Sequence, residues 1–177
     1  MAVTGSGEGA GVPGGDAATG VRLRPGTAAD LDPVNRIIER AVMTWDLPER
    51  VKRLSLPVYR YDAADLDVLA LVVAEDADGA IAGLAAWAPA AAQETPGGRP
   101  GLLLHGLYVD PDRQGHGVGG RLLAAAEGAA SDQGLQGVLV KAQPGAEDFF
   151  VGRGFRELAV RDPARDYPHR FWKPLAP

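Results

Sequence analysis

Leu102-Leu103-Leu104-His105-Gly106-Leu107-Tyr108-Val109, followed by Asp110-Pro111-Asp112 and then by Gln114-Gly115-His116-Gly117-Val118-Gly119-Gly120, decides how this chain folds. The first eight residues form an apolar run with several large side chains, which predicts a buried strand. Pro111 stops it, because proline fixes φ and offers no N–H to a ladder. Val118, Leu122, Ala125, Ala126 and Ala129 then recur at helical spacing, and Gly134 is placed to close that helix as its C′ residue. The glycines therefore occupy the start of a helix, where the first N–H groups have no internal partner. Residues without side chains let an anion approach the backbone there, and the helix dipole favours its charge. Local physics predicts a phosphate or pyrophosphate site.

Three phosphate-binding families compete for such a turn. A P-loop needs Gly-Lys-Ser/Thr at its end, whereas this chain has Gly119-Gly120-Arg121. A dinucleotide fold needs an acidic residue closing the next strand, and Gly137-Val138-Leu139-Val140-Lys141 ends in lysine. The stretch instead resembles the cofactor motif of the GNAT N-acetyltransferases, Gln/Arg-x-x-Gly-x-Gly/Ala after a strand ending apolar-x-Val-Asp-Pro. Gln114 to Gly119 fits the motif and Leu107-Tyr108-Val109-Asp110-Pro111 fits the lead-in. Ala146-Glu147-Asp148-Phe149-Phe150-Val151-Gly152-Arg153-Gly154-Phe155 resembles the family's second motif, Ala-x-x-Phe-Tyr-x-x-x-Gly-Phe.

With 177 residues the chain has the length of one domain. A net charge of −5 argues against a nucleic-acid surface and is compatible with a cationic small substrate. Without cysteine there is no disulfide, thiolate metal site or enzyme-thiol nucleophile. No apolar run approaches the ~20 residues of a membrane helix, and no signal-peptide pattern opens the chain, so the expectation is a cytoplasmic protein off the membrane. His169 has no second ligand at metal-binding spacing, so no metal site is expected.

Met1 to Gly20 is rich in Gly and Ala and predicts a disordered leader, with the domain over residues 21–177. Val21 to Arg24 reads as a short strand. Thr27 with Asp30 resembles a cap, and Leu31, Val34, Ile37, Ile38, Ala41 and Val42 draw a helix face. Pro33 suggests that this helix starts at Asp32 as cap. Pro48 starts a short helix through Leu54, after which Pro57 to Tyr61 reads as extended or looped. Asp76-Ala77-Asp78-Gly79 between two apolar runs is a hairpin signal. Ala88 to Gly101 reads as a long loop. The order is β-α-α-β-β-β-α-β-α-β-β, an α/β domain with a mixed central sheet flanked by helices, which is also the order of the GNAT fold.

The resemblance implies direct acetyl transfer from acetyl-CoA, as co-substrate, to a primary amine of a small molecule or peptide. It implies pyrophosphate binding by Gln114, Gly115, His116, Gly117, Val118, Gly119, Gly120 and Arg121. It also implies pantetheine pairing near Leu107 and Val109, with Gln143 and Phe150 beside the cofactor. The acceptor wall would contain Trp45, Tyr59 and Tyr61, which would equally serve to cover a thin core. His105 is the first candidate for the base that deprotonates the amine, placed on one strand face with Leu107 and Val109. Alternatives are a half-buried histidine tied to a carbonyl, with Glu75, Glu94 or water as base. Phe150 stands where relatives have the tyrosine that protonates the thiolate, leaving Tyr167, Tyr108 or water. That departure keeps open a second expectation, an acyl-CoA-binding sensor with little catalysis. Relatives often dimerise, so a homodimer is compatible with the resemblance.

Overall fold

The computed structural model describes residues 20–164 and 166–176. The expected leader, Gly20 apart, lies outside the described residues. Seven strands form one sheet in the order β1-β2-β3-β4-β5-β7-β6. They are β1 (Val21–Pro25), β2 (Ala70–Asp76), β3 (Ile81–Pro89), β4 (Leu102–Val109), β5 (Gly137–Lys141), β6 (Arg156–Glu157) and β7 (Arg170–Pro174). The helices are α1 (Leu31–Met43), α2 (Glu49–Tyr59), α3 (Val118–Asp132) and the short α4 (Glu147–Val151). Only β4 and β5 run parallel, because α3 carries the chain back between them.

Alternation along β2 and β3 divides the core. Leu71, Val73, Leu84 and Ala86 meet Val34, Ile37, Ile38 and Val42 of α1 and Leu56 of α2. Val72, Ala74, Ala85 and Trp87 face the other way, toward Val118, Leu122, Leu123, Ala126 and Ala130 of α3. The sheet is thus sandwiched between α1–α2 and α3, as the period-2 and period-3.6 patterns require.

Two proline readings change. Asp30 accepts from the backbone N–H and hydroxyl of Thr27, closing a capping box over a single 3-10 turn that feeds α1. Pro33 therefore falls in the first turn of a helix begun earlier, where its missing N–H is one of the orphans in any case. Pro57 lies inside α2 rather than in a loop. It is near the helix end and exposed, and the helix still closes with Arg60 N–H donating to Leu56 C=O.

The feature that positions the site is a bulge in β4. Ala86 pairs with Gly106 and Trp87 with Leu104, so His105 is the extra residue. On the other edge β4 pairs with β5 only at Leu102, Leu103 and Leu104. From His105 onward the two parallel strands diverge, and Gly106 to Val109 have no strand partner on that side. Leu104 and Leu107 both belong to the α3-side core, three residues apart instead of two or four. The bulge resets the alternation.

Candidate functional site

The turn after β4 is built so that its backbone faces a cleft. Asp110 caps the turn by accepting from Asp112 N–H, and Arg40 of α1 clamps both carboxylates. Gly115 and Gly117 have φ of +77° and +80°, in the left-handed region that side chains disfavour. Gly117 is the N-cap of α3, so the N–H groups of the first turn, including those of Gly119 and Gly120, have no intrahelical acceptor. Together they line a cleft of about 530 Å³ with Leu107, Val109, Gln114, Val118, Ala146, Phe149 and Phe150. One wall is the unpaired β4 edge; the other is α4. Backbone donors at a helix start, next to a free strand edge, can hold an anionic group at one end and an extended amide-bearing arm along the other.

Two arginines that the sequence reading passed over also line this cleft. Arg113 is tied to Asp76 of the hairpin at 2.7 Å. The Arg153 guanidinium lies 3.7 Å above the Phe149 ring and donates to Phe149 C=O, beside Gly120. Their signals were present: Arg113 precedes Gln114, and Arg153 and Phe149 lie inside the second motif. Neither residue type is fixed in the pattern that drew attention.

Three expected cofactor residues lie elsewhere. His116 turns back, its Nδ1 2.8 Å from Gln114 C=O, and faces Val21, Ala82 and Asp112 outside the cleft. Arg121 reaches across the sheet edge to donate to Val21 C=O, which fastens β1 to α3. Gln143 donates from Nε2 to Tyr59 Oη at 3.0 Å, so its amide bridges to α2 rather than lining the cleft. Gln114 itself caps the β4 edge, donating to Val109 C=O.

His105 does not share a face with Leu107 and Val109, because the bulge puts those two in the α3-side core. The charges acting on His105 are Lys141, Glu94 and Asp65. Displacement of water, and then the Lys141 cation, hold its imidazole below the ordinary value near 6.5. Glu94 is ion-paired with Lys141 at 2.6 Å. Both line a second cavity, of about 760 Å³, whose far wall includes Tyr167 and Arg170. Glu94, Lys141 and Tyr167 share the lining of this cavity, and His105 lies outside that lining, within electrostatic reach of Lys141 and Glu94. Glu75 lies elsewhere: it sits on the β1–β2 edge between Arg22 and Arg24, which hold its carboxyl below the usual range. A carboxylate so clamped is a poor base.

The aromatic wall is partly structural. Trp45 and Tyr59 meet edge to face at 5.3 Å, and both, with Tyr61, pack on the α1–α2 core. A side chain at Gly106 would overlap Tyr61 Oη and the Tyr108 ring, so glycine at the bulge admits the α2 end onto β4. Burial pushes both phenols up, which makes them poor proton donors. Burial, then Tyr59, pushes Tyr167 up as well. Phe150 is buried against Phe149 and Phe155 at the cleft floor. Among the described residues no helix is long and apolar enough to cross a membrane.

Residues 63–166 match the family model described as an acetyltransferase (GNAT) domain. PaiA N-acetyltransferase from Thermoplasma acidophilum, solved in complex with coenzyme A, superposes with a TM-score of 0.70 at 15% identity, covering 88% of this chain and 99% of that chain. An N-acetyltransferase structure from Rhodopseudomonas palustris gives 0.69 at 22%, over 92% and 100%. A GNAT family acetyltransferase from Brucella melitensis in complex with acetyl-CoA gives 0.61 at 19%, over 90% and 90%. At these identities the likeness concerns the fold. No curated protein matches the sequence.

The His105 environment yields a measurable expectation. Its folded pKa is depressed, so the neutral ring predominates at pH 6.5, and the protein loses stability as pH falls below that value. An NMR titration should place the His105 midpoint below 6.5. Lys141→Met should raise it, by removing the cation and leaving Glu94 unneutralised. A wild-type midpoint at or above 6.5, or no rise in the variant, would contradict this account.

Proposed function

The chain belongs to the GNAT acetyltransferase family, and from that premise we propose that it moves an acetyl group from acetyl-CoA directly to a primary amine of a small molecule or peptide. The observation that carries this reading is the junction of two features in one cleft. A β4 edge without a strand partner runs into a helix start whose first N–H groups are free of internal acceptors. The pyrophosphate would take the N–H groups around Gly115 to Gly120. Arg113 and Arg153 would add positive charge on an otherwise acidic chain. The pantetheine arm would pair along Leu107 to Val109, with Gln114 yielding its hold on Val109 C=O. The thioester would then arrive at the bulge.

The reaction needs a neutral amine. An alkylamine is only about 0.1% neutral at pH 7. His105, solvent-exposed but held below its ordinary value by lost hydration and by Lys141, accepts the ammonium proton directly or through water as attack begins. The amine attacks the thioester carbonyl, the attacking nitrogen sheds its remaining extra proton to water, the tetrahedral centre collapses with cleavage of the C–S bond, and CoA leaves as a thiolate. Phe150 has no proton to give it. Tyr167 is the phenol of this set that lines the acceptor cavity, and water serves otherwise. The aromatic at position 150 is also what favours a second reading, binding of acyl-CoA with little turnover.

Gly120→Glu tests the cofactor half. Gly120 is helical, has no left-handed φ, and a Cβ there would meet only the Arg153 guanidinium, at 3.6 Å. The glutamate places a negative charge at the anion site without backbone strain. Acetyl-CoA affinity measured by calorimetry should drop by about 100-fold or more with melting temperature little changed. Unchanged affinity would sink the assignment.

His105→Gln tests the chemistry. It should lower kcat by about tenfold or more, leave acetyl-CoA affinity intact, and abolish the acidic limb of the pH profile. A variant that melts lower yet keeps wild-type turnover and pH dependence would make His105 a packing residue. Absence of CoA release with any amine from wild-type protein that still binds acetyl-CoA would favour the binding-only reading.

A further inference from the structure

The cavity lined by Glu94, Lys141 and Tyr167 has an uneven hydrogen-bonding balance. It lies between the two 3-10 turns Ala92–Glu94 and Pro96–Gly98 on one side and the segment running from Leu158 into β7 on the other. Among the described residues its charged lining is evenly split: Lys141, Arg161 and Arg170 against Glu94, Asp162 and Asp166. Each carboxylate has one oxygen engaged. Glu94 accepts from Lys141 at 2.6 Å, and Asp162 accepts from Ala164 N–H at 3.0 Å. One oxygen of Asp166 receives three donors: Arg170 Nη2 at 3.0 Å and the N–H groups of Arg161 and Asp162 at 2.8 and 3.2 Å.

Donors are left over. Arg170 is buried to 7% exposure, and its Nε has no hydrogen-bond partner. Its Nη2 is shared between Asp166 and a long contact to Ala159 C=O, so the fork engages Asp166 through a single nitrogen. Asp166 cannot swing to take both nitrogens of that edge without releasing the two backbone N–H groups that pin its oxygen. Arg161, exposed at the rim, enters no ion pair among the described residues. The unpartnered Nε–H of Arg170 and the exposed guanidinium of Arg161 are the donors left for the two oxygens of a carboxylate.

The strand register says where such a group would lie. Lys141 of β5 stands directly opposite Arg170 of β7, and His105 follows the last β4–β5 pair, Leu104 with Val140. His105, Lys141 and Arg170 therefore form a row across three neighbouring strands. Paired strands are about 4.8 Å apart, which sets the backbone spacing of Lys141 and Arg170, while the divergence of β4 from β5 sets His105 farther off. The row's His105 end meets the amine, and its Arg170 end is the donor-rich one. Apart from Tyr167 and the polar Gln93 and Thr95, the uncharged lining among the described residues is small or aliphatic (Ala159, Ala164, Pro96, Leu158), with no aromatic slot for an apolar amine.

We propose that the acceptor is an amino-carboxylate, a free amino acid or short peptide, whose carboxylate is held by Arg170 and Arg161 while its amine faces His105. This rests on the acetyltransferase reading above and narrows it. Lys141, already neutralised by Glu94, separates the two ends and keeps the amine end from drawing the carboxylate.

The test is a CoA-release assay with acetyl-CoA on the full chain. Acceptors are the standard amino acids, their carboxamides, their decarboxylated amines, and dipeptides ending in glycine. At least one acid or dipeptide should exceed its matched amide and amine by tenfold or more in kcat/KM. Amino acids and dipeptides are separate arms, so the assay also identifies which of the two is used. Arg161→Gln, on an exposed residue, and Arg170→Lys should each raise KM for the preferred acid by about fivefold or more and collapse the preference over the amide. The proposal is overturned if amides and decarboxylated amines are acetylated as well as or better than every acid, a result that leaves acetyl transfer standing. It is equally overturned if both variants keep the wild-type KM. No CoA release from any acceptor would overturn the acetyltransferase reading and this inference together.

Discussion

A single unpaired residue in β4 sets the arrangement of both cavities. His105 is the extra residue opposite the Ala86–Trp87 step, and at that point β4 stops pairing with β5. A strand edge without partners is ordinarily a liability for a sheet. Here it is a short, internal edge, walled by α4 and opening onto the N-terminus of α3. The same divergence leaves Lys141 at the end of β5 beside His105, on the side away from Leu107 and Val109. One irregularity thus produces an edge for an extended ligand arm and, around it, a polar cavity for a second reactant. Gly106 belongs to the same device, since a side chain there would collide with Tyr61 and Tyr108 and push the end of α2 off the sheet.

Charge is distributed to match. The chain is acidic overall, yet Arg113 and Arg153 stand at the anion end of the cleft. Arg113 is oriented by Asp76 in the β2–β3 hairpin, and Arg40 of α1 clamps Asp110 and Asp112 at the end of β4. The turn is therefore held from two directions by ion pairs. Away from the cleft, Arg24 binds Asp30 and Glu75 together, which drives the Asp30 carboxyl far below its ordinary range and holds the Glu75 carboxyl below its own. The network ties β1 to β2 and to the turn that feeds α1.

Much of this was legible in the order of residues. The apolar run of β4, Pro111, the four glycines and the helical spacing of α3 specify strand, turn and helix locally, and the structure has them with Gly134 at φ +66° closing the helix. What local pattern could not supply was the bulge, because an extra residue is defined only against a partner strand. Its consequence, the reset of alternation after Leu104, is why His105 was assigned to the wrong face. The reaches of His116, Arg121 and Gln143 failed for a related reason: side-chain direction on a turn or helix depends on tertiary neighbours such as Val21 and Tyr59. Pro57 misled because a proline late in an exposed helix breaks less than one in its middle. The family match spans 63–166 and leaves α1, α2 and β7 outside it. Tyr59 and Arg170 lie on those elements and Tyr61 just beyond α2, also outside the match, so the acceptor side had no motif to read.

The central claim is that the unpaired half of β4 receives the cofactor arm as though it were an added strand. Amide hydrogen exchange, with and without acetyl-CoA, examines it residue by residue. The account predicts that acetyl-CoA slows exchange at Gly106 to Val109 and at Gly115 to Gly120, while Val138 to Val140, already paired on both sides, change little. Protection confined to α3, or spread evenly over the sheet with none at Gly106 to Val109, would contradict it.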